Sequence, residues 1–206
     1  DKGTYLISVF EGHLKRAGLY GTLAGKTILE LGPGDSVGTA LLAASHGAKS
    51  ILIDAGNFAV KDVEFYRQIA KELESLGLTP PDLRFVNTFE EFLDACGAKY
   101  LTDGLASFAG EEEESVDFIF SQAVLEHIRK SEFEQTMKEC HRILKSGGLA
   151  SHRVDLKDHL DGRLNNLRFG DGLWETELFA ISGFYTNRLR YSEMMNSFKI
   201  IGCYVE

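Results

Sequence analysis

The sequence contains little cysteine and no long apolar run, and each shortage excludes a class of protein. Only three of its 206 residues are cysteines. Cys96, Cys140 and Cys203 form an odd, scattered set that is not typical of a disulfide framework or a zinc site. No apolar run approaches the length of a membrane span, so we expect no membrane association. No signal peptide is visible, and we expect a cytoplasmic protein with reduced thiols.

Basic residues are also in the minority. The chain has 22 Lys and Arg against 31 Asp and Glu, which gives a net charge of −9 at pH 7. A field of this sign disfavours docking on a phosphate backbone, so we expect no nucleic-acid partner. With 44% hydrophobic and 26% charged residues, the composition is that of an ordinary globular protein. We therefore predict a single α/β domain over residues 1–206, which begins with a lead-in over residues 1–25.

A segment near the N-terminus predicts a strand, a glycine turn, a helix and a second strand. The apolar run Thr27–Leu31 is followed by Gly32 and Gly34, and a small-residue helix then leads to the apolar run Ser50–Ile53. Asp54 closes the second run. Such a βαβ unit binds nucleotide-sized ligands at the carboxyl ends of its strands, where an acid at the position of Asp54 accepts the hydroxyls of a ribose.

Two kinds of ligand fit such a unit. A dinucleotide favours Gly-x-Gly-x-x-Gly, so that the start of the helix can receive a pyrophosphate. Here Val37 occupies the third glycine position, and Gly38 comes one residue late. Glu30 precedes the turn, and Asp35 lies within it. Carboxylates repel a pyrophosphate but suit a ligand that carries a sulfonium and an ammonium group. The turn therefore favours a cationic ligand, with a purely structural turn as the alternative.

Two further blocks follow in order. The stretch VDFIFSQAVLEHI predicts a strand over Val116–Phe120 and a helix that begins near Ala123. Further on, the pattern predicts an amphipathic helix over Glu132–Leu144, a Lys-Ser-Gly-Gly turn in which Gly147 or the next glycine ends that helix, and a strand over residues 149–154.

The stretches ELGPG, VDFIFSQAVLEHI and ILKSGGLA together resemble the glycine, fourth-strand and fifth-strand motifs of the class I S-adenosylmethionine (SAM)-dependent methyltransferases. The resemblance covers roughly Leu23–Asp155. It implies an α/β, Rossmann-like, doubly wound and mostly parallel sheet of the seven-stranded type, flanked by helices. Phe198–Val205 predicts the sixth strand, and since only Glu206 follows, we expect the last strand to be missing.

The same resemblance implies SAM as the cofactor, S-adenosylhomocysteine as the product, and a set of cofactor-binding residues. Glu30 and the glycine turn would hold the methionine part, and Asp54 the ribose hydroxyls. The residues carried over from the motif positions are Glu30, Gly32, Pro33, Gly34, Asp54, Ala55, Asp103, Gly104, Ser121 and Gln122. A lead-in helix over Leu6–Leu14 would lie over the cofactor or simply pack on the sheet.

Residues 156–197 predict a substrate-side insertion. Aromatic faces beside Arg and Asn side chains suit a sugar, a carboxylate or a phosphorylated metabolite. The candidate substrate-binding residues are Trp174, Tyr185, Asn187 and Arg188. The alternative is that the arginines form surface ion pairs and the aromatic side chains close a core.

A hydroxyl acceptor would need a general base within hydrogen-bonding reach. The candidates are His127, Asp155 and His159, and a structural role is the alternative for His127. Because no full set of ligands is recognisable, we predict no metal.

The sequence thus predicts an enzyme that transfers the methyl group of SAM to a small polar acceptor, such as a sugar or a glycan precursor. One alternative is a degenerate methyltransferase-like domain that binds SAM or a partner without turnover. Others are an aminopropyl transferase on the same scaffold and an NAD-dependent oxidoreductase. The sequence leaves the oligomeric state open.

Overall fold

The computed structural model of the protein describes residues 2–205, which divide into two compact units. The first unit contains residues 2–122 and 143–151, and the second contains residues 123–142 and 152–205. Within this described range, no helix is long and apolar enough to cross a membrane. The single domain expected over residues 1–206 stays a prediction, because two such units can belong to one domain.

Among the described residues, a sheet of five strands forms the centre of the first unit. The strands are β1 (Thr27–Leu31), β2 (Lys49–Ile53), β3 (Ala98–Leu101), β4 (Val116–Gln122) and β5 (Leu144–Arg153). Their order is β3-β2-β1-β4-β5, and the pairs β1–β2, β1–β4 and β2–β3 are parallel. The central strand β1 is covered on both faces, which explains its continuous apolar run. The predicted α/β fold with a mostly parallel sheet is confirmed.

The register brings the carboxyl ends of these strands to one edge of the sheet. Leu31 of β1 lies opposite Ile53 of β2 and Ser121 of β4, and Ile53 lies opposite Leu101 of β3. The residues that follow these strands therefore share that edge, where ligands bind in open α/β sheets.

The helices of the first unit flank this sheet, and two of them, α3 and α4, start at side-chain caps. They are α1 (Lys2–Arg16), α2 (Thr39–Ser45), α3 (Val63–Ser75) and α4 (Phe89–Ala95), with a 3₁₀ helix over Gly104–Gly110. The carboxylate of Asp62 accepts a hydrogen bond from the backbone N–H of Glu64 at the start of α3. Thr88 and Glu91 form a capping box at the start of α4.

The helix predicted over Leu6–Leu14 is present and longer than expected. Phe10 of α1 lies edge-on to Phe120 of β4, with ring centroids 5.8 Å apart, and Leu14 is fully buried. The helix therefore packs on the sheet.

The helix predicted to begin near Ala123 is wrong. Ala123 adopts a left-handed conformation with φ 55°, the chain turns, and α5 (Lys130–Ile143) begins only after that turn. The Nδ2 atom of Asn187 donates to the carbonyls of Leu125 and Ile128, at 2.7 and 2.9 Å. These carbonyls are thus satisfied by a side chain rather than by a helical ladder.

The Lys-Ser-Gly-Gly stretch behaves partly as predicted. Gly147 has φ 75°, the left-handed conformation expected for one of its glycines. However, β5 begins at Leu144, immediately after α5, so the turn lies within the bounds of the strand.

The second unit has short helices around an aromatic cluster. Its elements are α5, a 3₁₀ helix over Leu164–Arg168, α6 (Asp171–Trp174), α7 (Glu177–Ala180) and α8 (Tyr191–Ile200). The ring of Trp174 is fully buried, and the rings of Phe169, Phe179, Phe184 and Tyr185 lie with centroids 5.3–6.1 Å from it.

The sixth strand predicted over Phe198–Val205 is wrong. Phe198 belongs to α8, and the chain after the helix forms a turn and an irregular segment. Met194 and Phe198 are four residues apart, so the helix places both on one face, where Phe198 packs against the rings of Phe133 and His152. Helical packing thus uses the apolar residues that the sequence pattern assigned to a strand.

Candidate functional site

A cavity of about 230 Å³ lies at the carboxyl edge of the sheet, within the first unit. Its wall combines the glycine turn, the end of β4 and one side of α1. The lining residues are Lys2, Tyr5, Leu6, Val9, Glu30, Gly32, Pro33, Gly34, Asp35, Ser36, Thr39 and Gln122. Half of the predicted cofactor-binding residues are therefore brought together around one space.

The glycine turn after β1 needs residues without a Cβ atom. Gly32 and Gly34 have φ 66° and 67°, a conformation that costs other residues roughly 1 kcal/mol or more. The N–H of Gly32 donates to the carbonyl of Ile53 at 2.8 Å, which ties the turn to the end of β2.

Asp54 secures the same turn from the neighbouring strand. One oxygen of its carboxylate accepts from the N–H of Gly34 and the other from the N–H of Ala55, both at 2.8 Å. Burial raises the pKa of Asp54 above its ordinary value, although the two N–H donors act against that shift. Each carboxylate oxygen retains a second lone pair, so the group can still accept hydroxyl hydrogens from a ligand.

Glu30 is the most unusual group of the cavity. Its side chain is buried, and among residues 2–205 its Oε2 atom has no hydrogen-bond partner. Burial raises the pKa of Glu30 to about 7, helped by the nearby charge of Asp54 and opposed by a hydrogen bond from Thr39. An ionised carboxylate with an unpartnered buried oxygen is costly unless a cation approaches it, so the cavity suits a positively charged ligand.

The other predicted cofactor residues fall into two groups. Ala55 and Gly104 contact each other: a Cβ atom on Gly104 would lie 3.6 Å from the Cα of Ala55, and the N–H of Gly104 donates to the carbonyl of Asp54 at 2.9 Å. Asp103, beside them, is exposed. Ser121 is fully buried within β4 and does not line the cavity, unlike its neighbour Gln122.

The sequence left open whether the lead-in helix lies over the cofactor or packs on the sheet, and it did not identify the residues through which α1 lines the cavity. Lys2, Tyr5 and Val9 line the cavity, and the Lys2 ammonium pairs with the carboxylate of Asp35 in the glycine turn at 2.7 Å. Their spacing along one helix side was a usable signal. The spacing did not indicate which surface this side of α1 faces, because the residues that it meets are distant in sequence.

Gly38 has a packing role that explains its late position in the glycine pattern. A Cβ atom there would lie 2.5 Å from Cδ1 of Leu6 in α1 and 3.2 Å from Oγ of Ser36. The glycine therefore admits α1 close to the start of α2.

His13 is a second group that sequence reasoning missed. This buried imidazole of α1 lies 3.2 Å from Oε1 of Gln122 through Nε2 and 2.8 Å from Oγ of Ser151 through Nδ1. It thus connects α1 to a side chain of the cavity wall.

The predicted substrate-binding residues all lie in the second unit, where they make internal contacts. Trp174 donates through Nε1 to the carbonyl of Thr186 at 2.7 Å, and the hydroxyl of Tyr185 donates to Glu175 at 2.8 Å. Asn187 is 1% exposed and holds the turn before α5. These contacts match the structural alternative, and a substrate role for the three residues stays a prediction.

Arg188 is held in the same way. Its guanidinium lies 4.3 Å from the centroid of the Trp174 ring, and it donates to the carbonyls of Asn166 and Phe169 and to the carboxylate of Asp171. Such contacts fix an arginine within a fold.

The predicted general bases come together in the second unit. The rings of His127 and His159 have centroids 4.9 Å apart, and Nε2 of His159 lies 3.7 Å from Oδ2 of Asp155. The pKa of Asp155 is lowered, first by a hydrogen bond from the backbone of Lys157 and then by the charges of Lys157 and His159. Their catalytic role stays a prediction.

A further cavity of about 420 Å³ lies in the second unit, beside α8. Its lining residues are Tyr191, Ser192, Met195, Asn196, Lys199 and Val205. Since it contains no converging set of charged groups and none of the predicted site residues, it is not a candidate site.

Comparison with known proteins identifies a family. The profile of a methyltransferase domain family matches residues 29–151, more than half of the chain. No curated protein matched the sequence.

Solved structures with similar folds are methyltransferases. One is phosphoethanolamine N-methyltransferase 2 of Haemonchus contortus, in complex with phosphomonomethylethanolamine and S-adenosylhomocysteine, with a TM-score of 0.55 and 17% identity. The match covers 93% of this chain but only 36% of that one.

Two archaeal structures match over more of their own length. A SAM-dependent methyltransferase from Methanosarcina mazei has a TM-score of 0.52 and 20% identity over 85% of this chain and 78% of its own. Another from Archaeoglobus fulgidus has a TM-score of 0.52 and 12% identity over 95% of this chain and 68% of its own. At these identities, the similarity establishes the fold and leaves the acceptor open.

Proposed function

Because this chain belongs to the class I SAM-dependent methyltransferases, we propose that it transfers the methyl group of SAM to a small polar acceptor. The observation that carries the proposal is the unpartnered, buried carboxylate oxygen of Glu30 on the wall of the cavity. A ligand with an ammonium and a sulfonium group supplies the positive charge that this oxygen lacks.

The residues of the first unit have separable roles in holding SAM. Glu30 accepts from the ammonium group, and the backbone of Gly32 and Gly34 leaves room for the methionine part. Asp54 accepts from the ribose hydroxyls with the lone pairs that its two backbone donors leave unused. Gln122 offers its amide at the end of β4, with its carbonyl oxygen 3.2 Å from the imidazole of His13.

The bound SAM supplies an activated methyl group on a sulfonium, which an acceptor lone pair attacks in line with the breaking carbon–sulfur bond. The protein contributes alignment, since the electrophile needs no further activation. If the acceptor is a hydroxyl, its proton passes to a base, and we propose His127 as the first candidate. Its Nδ1 lies 2.7 Å from the carbonyl of Tyr185, so Nδ1 carries the proton and Nε2 keeps the basic lone pair.

The acceptor class is proposed on chemical grounds alone. A net charge of −9 opposes a nucleic-acid substrate, and a sugar or glycan precursor remains our working choice among small polar acceptors. A dinucleotide is disfavoured because its pyrophosphate would face the carboxylates of Glu30 and Asp35 on one wall.

Calorimetric titration with SAM, S-adenosylhomocysteine and NAD tests the proposal. We expect the first two to bind and NAD not to bind. Asp54→Ala should weaken SAM binding by roughly 1.5–3 kcal/mol, because it removes the charged acceptor of the ribose hydroxyls. Glu30→Gln should weaken it by a similar amount, because it removes the negative charge that faces the ammonium group.

The matched control is Asp117→Asn. Asp117 is an acid of β4 that pairs with Lys145 and Lys26 and accepts from the N–H of Thr27, the first residue of β1, away from the cavity. Unchanged affinity in Glu30→Gln and Asp54→Ala would remove both groups from the site, and NAD binding without SAM binding would favour an oxidoreductase. SAM binding without methyl transfer to any acceptor in a screen would favour a degenerate domain.

A further inference from the structure

Three side chains of the second unit form a cluster that the sequence did not suggest. One ligand atom each of Glu126, His127 and His159 lies within 4.8 Å of the other two. Glu126 and His127 are adjacent in the turn before α5, whereas His159 follows β5, so only the fold brings the set together.

Glu126 is the buried anchor of this cluster. Its side chain is 2% exposed, and Oε2 has no hydrogen-bond partner within the described part of the chain, whereas Oε1 accepts from the backbone N–H of Asp155 at 3.0 Å. A buried carboxylate that keeps one oxygen unpartnered is costly in isolation, and a cation at that oxygen would remove the cost.

Both imidazoles have one nitrogen directed to an oxygen acceptor. Nδ1 of His127 donates to the carbonyl of Tyr185 at 2.7 Å, and Nε2 of His159 lies 3.7 Å from the carboxylate of Asp155. Metal-binding histidines are commonly held in this way, because the acceptor fixes the tautomer and leaves the opposite nitrogen with its lone pair. The cluster thus offers Nε2 of His127, Oε2 of Glu126 and one ring nitrogen of His159, and His127 and Glu126 are each oriented by a hydrogen bond.

We propose that Glu126, His127 and His159 bind one divalent transition-metal ion. Two imidazoles and one carboxylate suit zinc and its neighbours in the first transition series. Metal–ligand bonds of about 2.1 Å place the three ligand atoms about 3–3.5 Å from one another. Since these atoms now lie within 4.8 Å, metal binding would draw the side chains about 1 Å closer together. Because His127 is exposed, the remaining coordination positions are open to water or an anionic ligand.

Metal binding at this cluster does not depend on the proposed methyl transfer, but it is incompatible with His127 as the general base. The Nε2 lone pair of His127 cannot bind a metal and accept a proton at the same time. Metal binding would therefore leave Asp155 as the remaining general base among the three candidates, because His159 would also be a ligand.

The test is a titration of the chelator-treated whole protein with ZnCl₂, followed by calorimetry, and with CoCl₂, followed by visible absorption. We expect one equivalent to bind. Removing a residue that hydrogen-bonds to a metal-binding side chain typically lowers metal affinity about 10–100-fold. Glu126→Gln and His159→Gln, which remove ligands, should therefore weaken zinc binding at least about 100-fold, and Asp155→Ala by about 10-fold.

His141→Gln is the matched control, since His141 is an exposed histidine of α5 outside the cluster. It should bind zinc like the wild type. Circular dichroism and a melting curve without metal show whether each variant is folded, and the cobalt spectrum of the wild type reports the ligand types independently of any variant.

Three direct results would overturn the proposal, and a fourth comes from the control variant. They are no zinc binding at micromolar concentration, equal binding by the wild type and both ligand variants, and a thiolate charge-transfer band with cobalt. The last result would place the metal on Cys140 and Cys203, which interact electrostatically in the same unit. Binding lost in His141→Gln but kept in His159→Gln would likewise place the metal elsewhere.

Discussion

Glu30 in the first unit and Asn187 in the second are both buried polar side chains, yet their surroundings are opposite. Asn187 donates to two carbonyls and accepts from the N–H of Leu189, whereas Glu30 keeps an oxygen without a hydrogen-bond partner among the residues that the structure describes. Folding satisfies the first group and leaves the second unsatisfied. Of the two, the unsatisfied group marks a place where a ligand completes the structure, and the satisfied group marks the scaffold.

The same distinction separates the predicted site residues of the two units. Trp174, Tyr185, Asn187 and Arg188 were selected by residue type, but their polar side-chain atoms, apart from Nε of Arg188, form hydrogen bonds within their own unit. The predicted residues of the glycine turn instead face a cavity. If this comparison is right, substitutions in the second unit should lower stability, and neutralising Glu30 should raise it.

The largest loss is expected for Trp174→Ala. The ring is fully buried among aromatic side chains, so its removal should lower the free energy of unfolding by about 3–5 kcal/mol in urea denaturation. Leu173→Ala, next to it and 50% exposed, is the control and should cost less than about 1 kcal/mol. A loss below about 1 kcal/mol for Trp174→Ala would mean that the aromatic cluster does not hold this unit together.

Glu30→Gln should change stability in the opposite direction. Burial raises the pKa of Glu30 from 4.5 to about 7 in the folded protein. Its contribution to stability is therefore complete below pH 4.5 and is lost as the pH rises through about 7. The variant should be more stable than the wild type at pH 8, without SAM, by up to about 3 kcal/mol. Chemical denaturation at pH 5 and pH 8 measures the effect.

Glu74→Gln, an exposed substitution in α3, is the control for this pH series and should stay within about 0.5 kcal/mol of the wild type at both pH values. Equal stability of the wild type and Glu30→Gln at pH 8 would show that Glu30 has a partner or is solvated.

Asn187→Ala should have the smallest effect of the three, a loss of about 2 kcal/mol, because it leaves the carbonyls of Leu125 and Ile128 without their donor. The exposed Asn196→Ala in α8 is the matched control, with an expected change within about 0.5 kcal/mol. Thermal denaturation of both variants gives the comparison. An Asn187→Ala variant as stable as the wild type would show that water replaces the amide and that the hydrogen bonds of Asn187 contribute little to the free energy of unfolding.

The sequence predicted the parts of the site that depend on local pattern. Continuous apolar runs indicated β1 and β2, and because parallel strands end at one edge of a sheet, the pattern alone places Glu30 and Asp54 at the same edge. The glycine turn followed from residue type, since Gly32 and Gly34 have positive φ angles.

The remaining parts depend on contacts that are distant in sequence. A short apolar run does not distinguish a strand from a helix, which explains the error over Phe198–Val205. Residue type does not show whether Arg188 faces solvent or the Trp174 ring. Likewise, Glu126 and His159 lie on separate segments, so the sequence pattern could not show that they are close together in the fold.

The hydrogen bond from the N–H of Gly34 to the carboxylate of Asp54 joins two groups of the chain itself and requires no ligand atom. The loop is therefore preorganised. The conformational entropy of the loop is lost when the protein folds and not when the ligand binds. An affinity loss in Asp54→Ala would then combine missing ligand contacts with a newly disordered loop. Comparing binding entropies of the wild type and the variant separates the two contributions.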